Sequence, residues 1–301
     1  MPTLIALAGC YALWGLSLWS FQFIGFWAAV PLALAAAFHS SLQHEVLHGH
    51  PTRNMLINEA LVFAPLGLAI AYRRFRDLHL KHHNDDRLTD PYDDPESFYV
   101  PERAWTGSRS ILRALLAFNA TFTGRMLIGP PLAMAGFWAS ELRLMRQGNK
   151  RVRGAWVRHA MGLIPVLLLV SAAGMPIWAY VLCVAWPAMS LIMVRSFIEH
   201  RADEDPNQRT AIVDAGIFWR LMFLNNNYHA LHHKQPAVPW YRLGALWKEQ
   251  REDLLEGNGG YYVPGYGSVI RKWAVTRREP IVHPFDHRFD SGRDDEVASG
   301  G

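Results

Sequence analysis

Charge is missing from two long stretches of this 301-residue chain. Residues 1–44 contain no Asp, Glu, Lys or Arg, and neither do residues 159–194. All 30 Lys and Arg side chains lie in 53–158 or 195–293. This partition excludes a uniformly water-soluble globule, which does not carry such long uncharged apolar runs, and a disordered chain, which lacks them. Cysteine is also scarce. Cys10 and Cys183 each sit inside an uncharged block, so there is no disulfide framework and both thiols read as small buried hydrophobes. The N-terminus has no basic n-region, and its apolar run is too long for the core of a secretory signal, so a retained membrane anchor is expected. No basic-aromatic pattern for nucleic acid occurs. The net charge of +4 favours anionic head groups or an acidic protein partner.

A membrane-crossing helix needs about 20 apolar residues, with about 17 tolerated. The first block therefore has room for two, with a reversal at 25–31 giving spans near 4–24 and 27–43. The second block breaks at Gly174, Met175 and Pro176, giving spans near 156–173 and 177–197. Arg-rich sequence follows both blocks and also precedes the second (Arg143, Arg146, Lys150, Arg151, Arg153, Arg158). The positive-inside rule then puts both termini and both hydrophilic stretches in the cytosol, as in a bacterial inner membrane. The expected fold is an all-α integral membrane protein, with four transmembrane helices in two hairpins and a cytosolic helical cap, as one domain over 1–285. Residues 55–72 and 126–139 compete as spans. Asn58 and Glu59 interrupt the first, and Gly129, Pro130 and Pro131 the second, so both are expected as helices in the interface or under the cap. Residues 286–301 read as a disordered tail without chemistry.

Histidine is what the chain has in excess, and its spacing is not random. Eight of the 14 histidines form three clusters: His44 and His48; His79, His82 and His83; His229, His232 and His233. Residues three and four apart share a helix face, so HxxxH and HxxHH present two or three imidazoles side by side. Neutral imidazole is the commonest metal ligand near pH 7. His200, where the fourth span runs out, lies at the depth of His44 and His48 and completes a set of nine. Nine imidazoles exceed what one tetrahedral zinc uses, whereas two metals with four or five nitrogens each use them all. His39, His159, His283 and His287 read as packing or surface residues, and His50, two residues after His48, points away on a continuing helix.

At these residues the sequence resembles the membrane-bound fatty acid desaturase and hydroxylase superfamily, and bacterial desaturase-like members in particular. The text that carries the likeness is HEVLHGHPTRN (44–54), HLKHHNDDRLTDPYDDPESFY (79–99), RSFIEHR (195–201) and NNNYHALHHKQPAVPWYRL (225–243). The resemblance implies a non-haem diiron centre bound by His44, His48, His79, His82, His83, His200, His229, His232 and His233, with O2 as co-substrate. The third box opens with His229 rather than Gln, and no HPGG haem motif is present, unlike the front-end members fused to cytochrome b5. Some acyl-CoA desaturases carry a water-linked Asn four residues before the extra histidine; here that position is Ser196.

An all-imidazole site needs nearby acids to orient the ring N–H groups and spread the metal charge. Glu45, Asp77, Asp85, Asp86, Glu199 and Asp203 flank the boxes and are the candidates. DPYDDPE (90–96) departs from calcium-loop spacing and reads as a turn. Asn225, Asn226, Asn227, Trp240, Tyr241 and Arg242 either shape the mouth of the site or pack the turns. The implied chemistry is oxidation of an unactivated C–H bond of a long-chain lipid, with fatty-acyl desaturation first and hydroxylation or ketolation of an alkane, carotenoid or other lipid as the alternative. No flavin or cluster motif is visible, so electrons are expected from a separate ferredoxin, rubredoxin or cytochrome with its reductase. Two other classes compete. HExxH at 44–48 fits a membrane zinc protease with Glu45 as base, but leaves both HxxHH boxes unused and lacks a third-ligand motif. A metal transporter would need ionisable groups within the spans, and the uncharged blocks hold no carboxylate.

Overall fold

The computed structural model describes residues 2–83 and 86–285; Asp85, His287 and the tail expected at 286–301 lie outside them. The helices are α1 (Pro2–Ile24), α2 (Ala29–Leu47), α3 (Met55–Leu61), α4 (Tyr72–His83), α5 (Glu102–Thr106), α6 (Ser110–Asn119), α7 (Phe122–Arg146), α8 (Lys150–Ala172), α9 (Ile177–Tyr180) and α10 (Trp186–Glu199). A strand β1 (Ile212–Val213), helices α11 (Ile217–Met222), α12 (His229–Lys234), α13 (Trp240–Glu249) and α14 (Arg251–Gly257), a strand β2 (Tyr262–Val263) and α15 (Tyr266–Trp273) follow.

Among the described residues, three helical stretches are long and apolar enough to cross a membrane: Pro2–Leu47, Lys150–Ala172 and Ile177–Glu199. The first folds back on itself at Gly25, whose φ of +56° is open to a residue without a Cβ. Cys10 Sγ then donates to the Ala35 carbonyl at 3.3 Å, and Tyr11 Oη meets His39 Nε2 at 3.1 Å. Pro187 has no N–H to continue the ladder, and a π turn (Val181–Ala185) joins α9 to α10 just before it. Leu16, Trp19, Phe23, Trp27, Leu168 and Trp178 point outward from these stretches, each more than 60 % exposed. Trp27 and Trp178 flank the two reversals, the place of an interfacial tryptophan belt.

The helix expected over 55–72 is only partly there. Beyond α3 the chain runs irregularly past Pro65 and Gly67, with Leu68 at a φ of +61°, because neither residue supports a helical ladder. Nor does this segment lie flat at the surface: Val62, Leu66 and Ala71 are fully buried. Its carbonyls accept from the long helices around it, Leu61 from Tyr11 Oη at 2.9 Å, Leu66 from Tyr180 Oη at 2.9 Å and Leu68 from His159 Nε2 at 2.7 Å. Irregular backbone is tolerated among apolar helices when its polar groups are satisfied in this way. Trp14 Nε1 in turn donates to Tyr180 Oη at 2.8 Å. Tyr180→Phe therefore leaves an acceptor and a donor buried without partners. A loss of about 2 kcal/mol is expected, read as a lower Tm of the purified protein in detergent; an unchanged Tm would contradict this anchoring.

The helix expected over 126–139 is part of the longer α7. Its first residue, Phe122, meets the Phe197 ring near the end of α10, at a centroid separation of 5.5 Å. Near its other end Glu141 accepts from Arg74 of α4 at 2.7 and 2.9 Å and from Trp156 of α8 at 2.9 Å. The start of α7 thus lies beside the end of α10 that leads to His200, and its far end beside the starts of α4 and α8. The described residues depart from an all-α fold in a small sheet, where β1 and β2 pair in parallel, Ile212 with Tyr262 and Val213 with Val263.

Candidate metal centre

Four elements deliver the histidines. Helix α2 runs out at His44 and His48, one turn apart, with ring centroids separated by 4.9 Å. The last turn of α4 carries His79, His82 and His83, and this helix is fixed by the Arg74–Glu141 pair and by Arg73, which donates to Glu59 at 2.7 and 2.9 Å. His200 caps the end of α10 in extended conformation. The short α12 is held on β1, where Val213 N donates to the Asn227 carbonyl at 2.9 Å and Ala230 N to that of Ala211 at 3.0 Å. Leu231, on the opposite face from His229, His232 and His233, is buried in a small core with Ile212, Tyr228, Leu243, Trp247 and Leu254.

All nine expected histidines come together, in two groups. His44, His48, His79, His83 and His232 form one; His82, His200, His229 and His233 form the other. Within each group, one ring nitrogen per residue lies within 4.8 Å of every other. The groups adjoin, with the His83 and His233 rings stacked at 4.2 Å. HxxHH explains the division: its second and third histidines are one residue, about 100°, apart around the helix. Helix α4 sends His79 and His83 to the first group and His82 to the second, and α12 sends His232 to the first and the other two to the second.

The donor set fits metal ions. His79 Nδ1 donates to Glu96 Oε1 at 2.7 Å and His82 Nδ1 to Asp94 Oδ1 at 2.8 Å. In the neutral rings their Nε2 atoms then carry lone pairs, and both are buried without a hydrogen-bond partner, as is Nε2 of His48. His229 Nδ1 faces two acceptors, Asn226 Oδ1 at 3.0 Å and Glu199 Oε1 at 3.2 Å, so its lone pair is also on Nε2. That atom lies 3.0 Å from His200 Nε2 and 3.1 Å from His233 Nε2. Lone pairs aimed together this closely repel unless a cation sits among them. Bonds of about 2.1 Å at right angles around one ion place ligand nitrogens about 3.0 Å apart. Burial, reinforced by neighbouring imidazoles, holds His83, His232 and His233 far below the ordinary histidine range, so they are neutral and ligand-competent near pH 7. Burial acts the same way on His82, but the Glu96 and Asp94 carboxylates outweigh it and raise this ring to about 9, so a metal ion there would have to displace its Nε2 proton.

Of the expected acids among the described residues, only Glu199 comes within 4 Å of a site-histidine nitrogen. Glu45 Oε1 accepts from Trp240 N at 3.3 Å, and Asp77 is taken by Arg76 at 3.0 Å and Arg151 at 2.7 Å. Asp203 pairs with Arg201 at 3.3 Å, and the Asp86 carbonyl faces Arg209 at 3.5 Å. Glu45 and Asp77 leave α2 and α4 on other faces than their histidines, and Asp86 and Asp203 lie in the loops beyond the helices. The acids that were missed, Asp94 and Glu96, belong to the stretch read as a plain turn; the loop folds back under α4. Asn226 is the other unassigned contact. Its amide lies between the groups, with Nδ2 3.3 Å from His44 Nε2 and Oδ1 accepting from His229. Asn225 and Asn227 instead hold turns, through the Trp240 and Val213 carbonyls, while Tyr241 and Arg242 are exposed. His50 donates to the Ala237 carbonyl at 3.1 Å, and Ser196 Oγ donates within its own helix to the Met193 carbonyl at 3.5 Å. His39, His159 and His283 lie outside both groups. Asn226→Leu is expected to lower activity about 10-fold and weaken metal retention during dialysis, the scale for partners that orient ligands; parental values for both would make Asn226 a packing residue.

Long apolar helices carrying two adjacent all-histidine groups define a class: membrane proteins whose histidine-rich site suits a pair of metal ions. The fatty acid desaturase family matches residues 17–265, and the chain belongs to that family. A comparison with curated proteins gives no match. Membership makes the chain a membrane oxidoreductase of the desaturase and hydroxylase superfamily.

Proposed function

We propose that this protein binds two iron ions through the nine histidines and uses O2 to desaturate a fatty-acyl chain. The observation that carries the reading is the division of nine imidazoles into groups of five and four with no carboxylate in either. A zinc protease is disfavoured because Glu45, its would-be base, is engaged by the Trp240 backbone.

When bound, ferrous iron would supply O2 activation with two external electrons and two protons, so that two hydrogens leave the chain, a C=C bond forms and O2 ends as two waters. The protein's part is positional. Asp94, Glu96 and Asn226 keep protons on the Nδ1 atoms of His82, His79 and His229, with Glu199 beside the last, leaving the opposite nitrogens free to bind. Burial of His44, His79, His82, His229 and His232 excludes water. The two apolar hairpins, four crossings in this reading, end at the histidines, and their uncharged side chains suit a methylene chain. Their Arg-rich flanks support a cytosolic site under the positive-inside rule, and a basic surface there suits an acidic ferredoxin, rubredoxin or cytochrome.

Lipid mass spectrometry of cells expressing the protein with a competent reductase tests the reaction. A product lighter by two hydrogens is expected. One heavier by an oxygen would replace desaturation with hydroxylation, and no product from any lipid would remove the oxidase reading.

A further inference from the structure

A second concentration of unusual chemistry lies behind His200, away from the histidine rings. Arg125, near the start of α7, is only 9 % exposed. Its Nε donates to the Asn119 carbonyl at 3.2 Å; among the described residues no carboxylate pairs with it and no acceptor takes its terminal N–H groups. Its guanidinium carbon stands 5.3 Å from the Phe98 ring centroid and 5.8 Å from that of Phe197. Arg278 stands over the same two rings at 5.2 and 5.7 Å. Two like charges therefore share two aromatic faces. Arg278 is engaged by Tyr261 Oη, the His200 carbonyl and, at 3.7 Å, Glu279, which also accepts from Tyr99 at 3.0 Å. One carboxylate is left against two guanidinium groups.

Phe98, Asn119, Arg125, Phe197, Arg278 and Glu279 line a partly open cleft with about 20 Å³ of free volume, room for a water or the oxygens of one small oxyanion but not for a hydrocarbon chain. Asn119 Oδ1 is buried without a partner; a half-turn of that amide presents N–H groups instead. Burial, with Arg278 nearby, pulls Arg125 down to about 10, which still leaves it charged at neutral pH. An uncompensated buried cation is unfavourable and persists where something else repays it. The neighbouring helix α6 supplies the complementary half of a site. It buries none of its residues, and Ile111, Leu112, Leu115 and Phe118 are exposed beside Leu116, which lines the cleft.

We propose that this cleft binds the oxyanionic head group of a lipid, a carboxylate or a phosphate ester, with the hydrocarbon chain lying along α6. Bidentate guanidinium geometry suits both oxyanions. The proposal does not rest on the metal reading, because binding is measured without turnover.

The test is thermal unfolding of the purified full-length protein in detergent, with palmitate, phosphatidylglycerol, inorganic phosphate or hexadecanol added. At a hundredfold excess over Kd, palmitate or phosphatidylglycerol is expected to raise Tm by about 5 °C. Hexadecanol, with the chain but no charge, is expected to leave it unmoved. A response to palmitate alone identifies a fatty acid as ligand, and to phosphatidylglycerol alone a phospholipid. Response to inorganic phosphate only, or an equal response to hexadecanol, overturns the proposal. Arg125→Met removes the cation at similar volume; ligand-free Tm is expected to hold or rise while the lipid-induced shift disappears. Ala120→Phe fills the cleft and keeps both guanidinium groups, so it asks the same question should the first variant fail to fold. An undiminished shift in either variant overturns the proposal.

Discussion

Replacing His232 with alanine is expected to abolish lipid oxidation and to lower bound metal from two ions per chain toward one, while the protein still folds. His232 is the ring of α12 that reaches the first group: its centroid lies 4.7 Å from each of His44, His48 and His83. Its Nε2 is 3.1 Å from His83 Nε2, the same spacing found around His229. Removing it takes a ligand from the group and opens the site between α2 and α4. The loss of activity should therefore exceed the roughly 100-fold ceiling typical of partners that only orient ligands. Folding should survive, because α12 is anchored by Leu231 in its separate core and by backbone bonds to Ala211, none of which involve the ring. Activity with a candidate lipid, metal per chain by mass spectrometry and the gel-filtration profile in detergent check the three parts. Full activity with two ions still bound would remove His232 from the site.

Asp94→Asn should have the next largest effect, because one buried carboxylate does three jobs. Asp94 Oδ1 accepts from His82 Nδ1 and from Glu96 N, both at 2.8 Å, and Oδ2 accepts from Thr89 N at 2.8 Å. An amide has only one accepting end, so a donor must face a donor somewhere in this set. Either the loop carrying Glu96 loosens or His82 loses the contact that fixes its proton on Nδ1. Activity is expected to fall about 10- to 100-fold, with weaker metal retention. Glu96→Gln should cost less, since Glu96 sits at the exposed edge and no backbone bond depends on its carboxylate. Equal and small effects of the two substitutions would contradict the assigned order.

The difference between the two halves of the site shows what a sequence makes legible. The ligands could be read because helical spacing is local: His44 and His48, or His79, His82 and His83, owe their convergence to the 3.6-residue turn alone. The carboxylates that orient them could not. Asp94 lies 12 residues from His82 and Glu96 lies 17 from His79, and the contact exists only because an irregular loop doubles back. Glu199 was accessible because it adjoins His200. Asn226 was legible as near the site but not as the residue lying between its two groups. The same contrast separates the long helices from the segment after α3. Apolar character marked 55–72 as something other than exposed loop, and Pro65 and Gly67 carried the signal that it is not helix. Its insertion between the long helices depends on Tyr11, His159 and Tyr180, which are distant in sequence and ordinary taken singly.

The central claim is that nine imidazoles hold a pair of ions, and the most direct measurement is metal stoichiometry with X-ray absorption on protein loaded separately with iron and with zinc. Because nitrogen sites accept either metal, two ions per chain are expected in both preparations, each in a nitrogen-rich shell without sulfur. One tightly held ion per chain in both, with the second never retained, would contradict the paired site and the oxidation chemistry built on it.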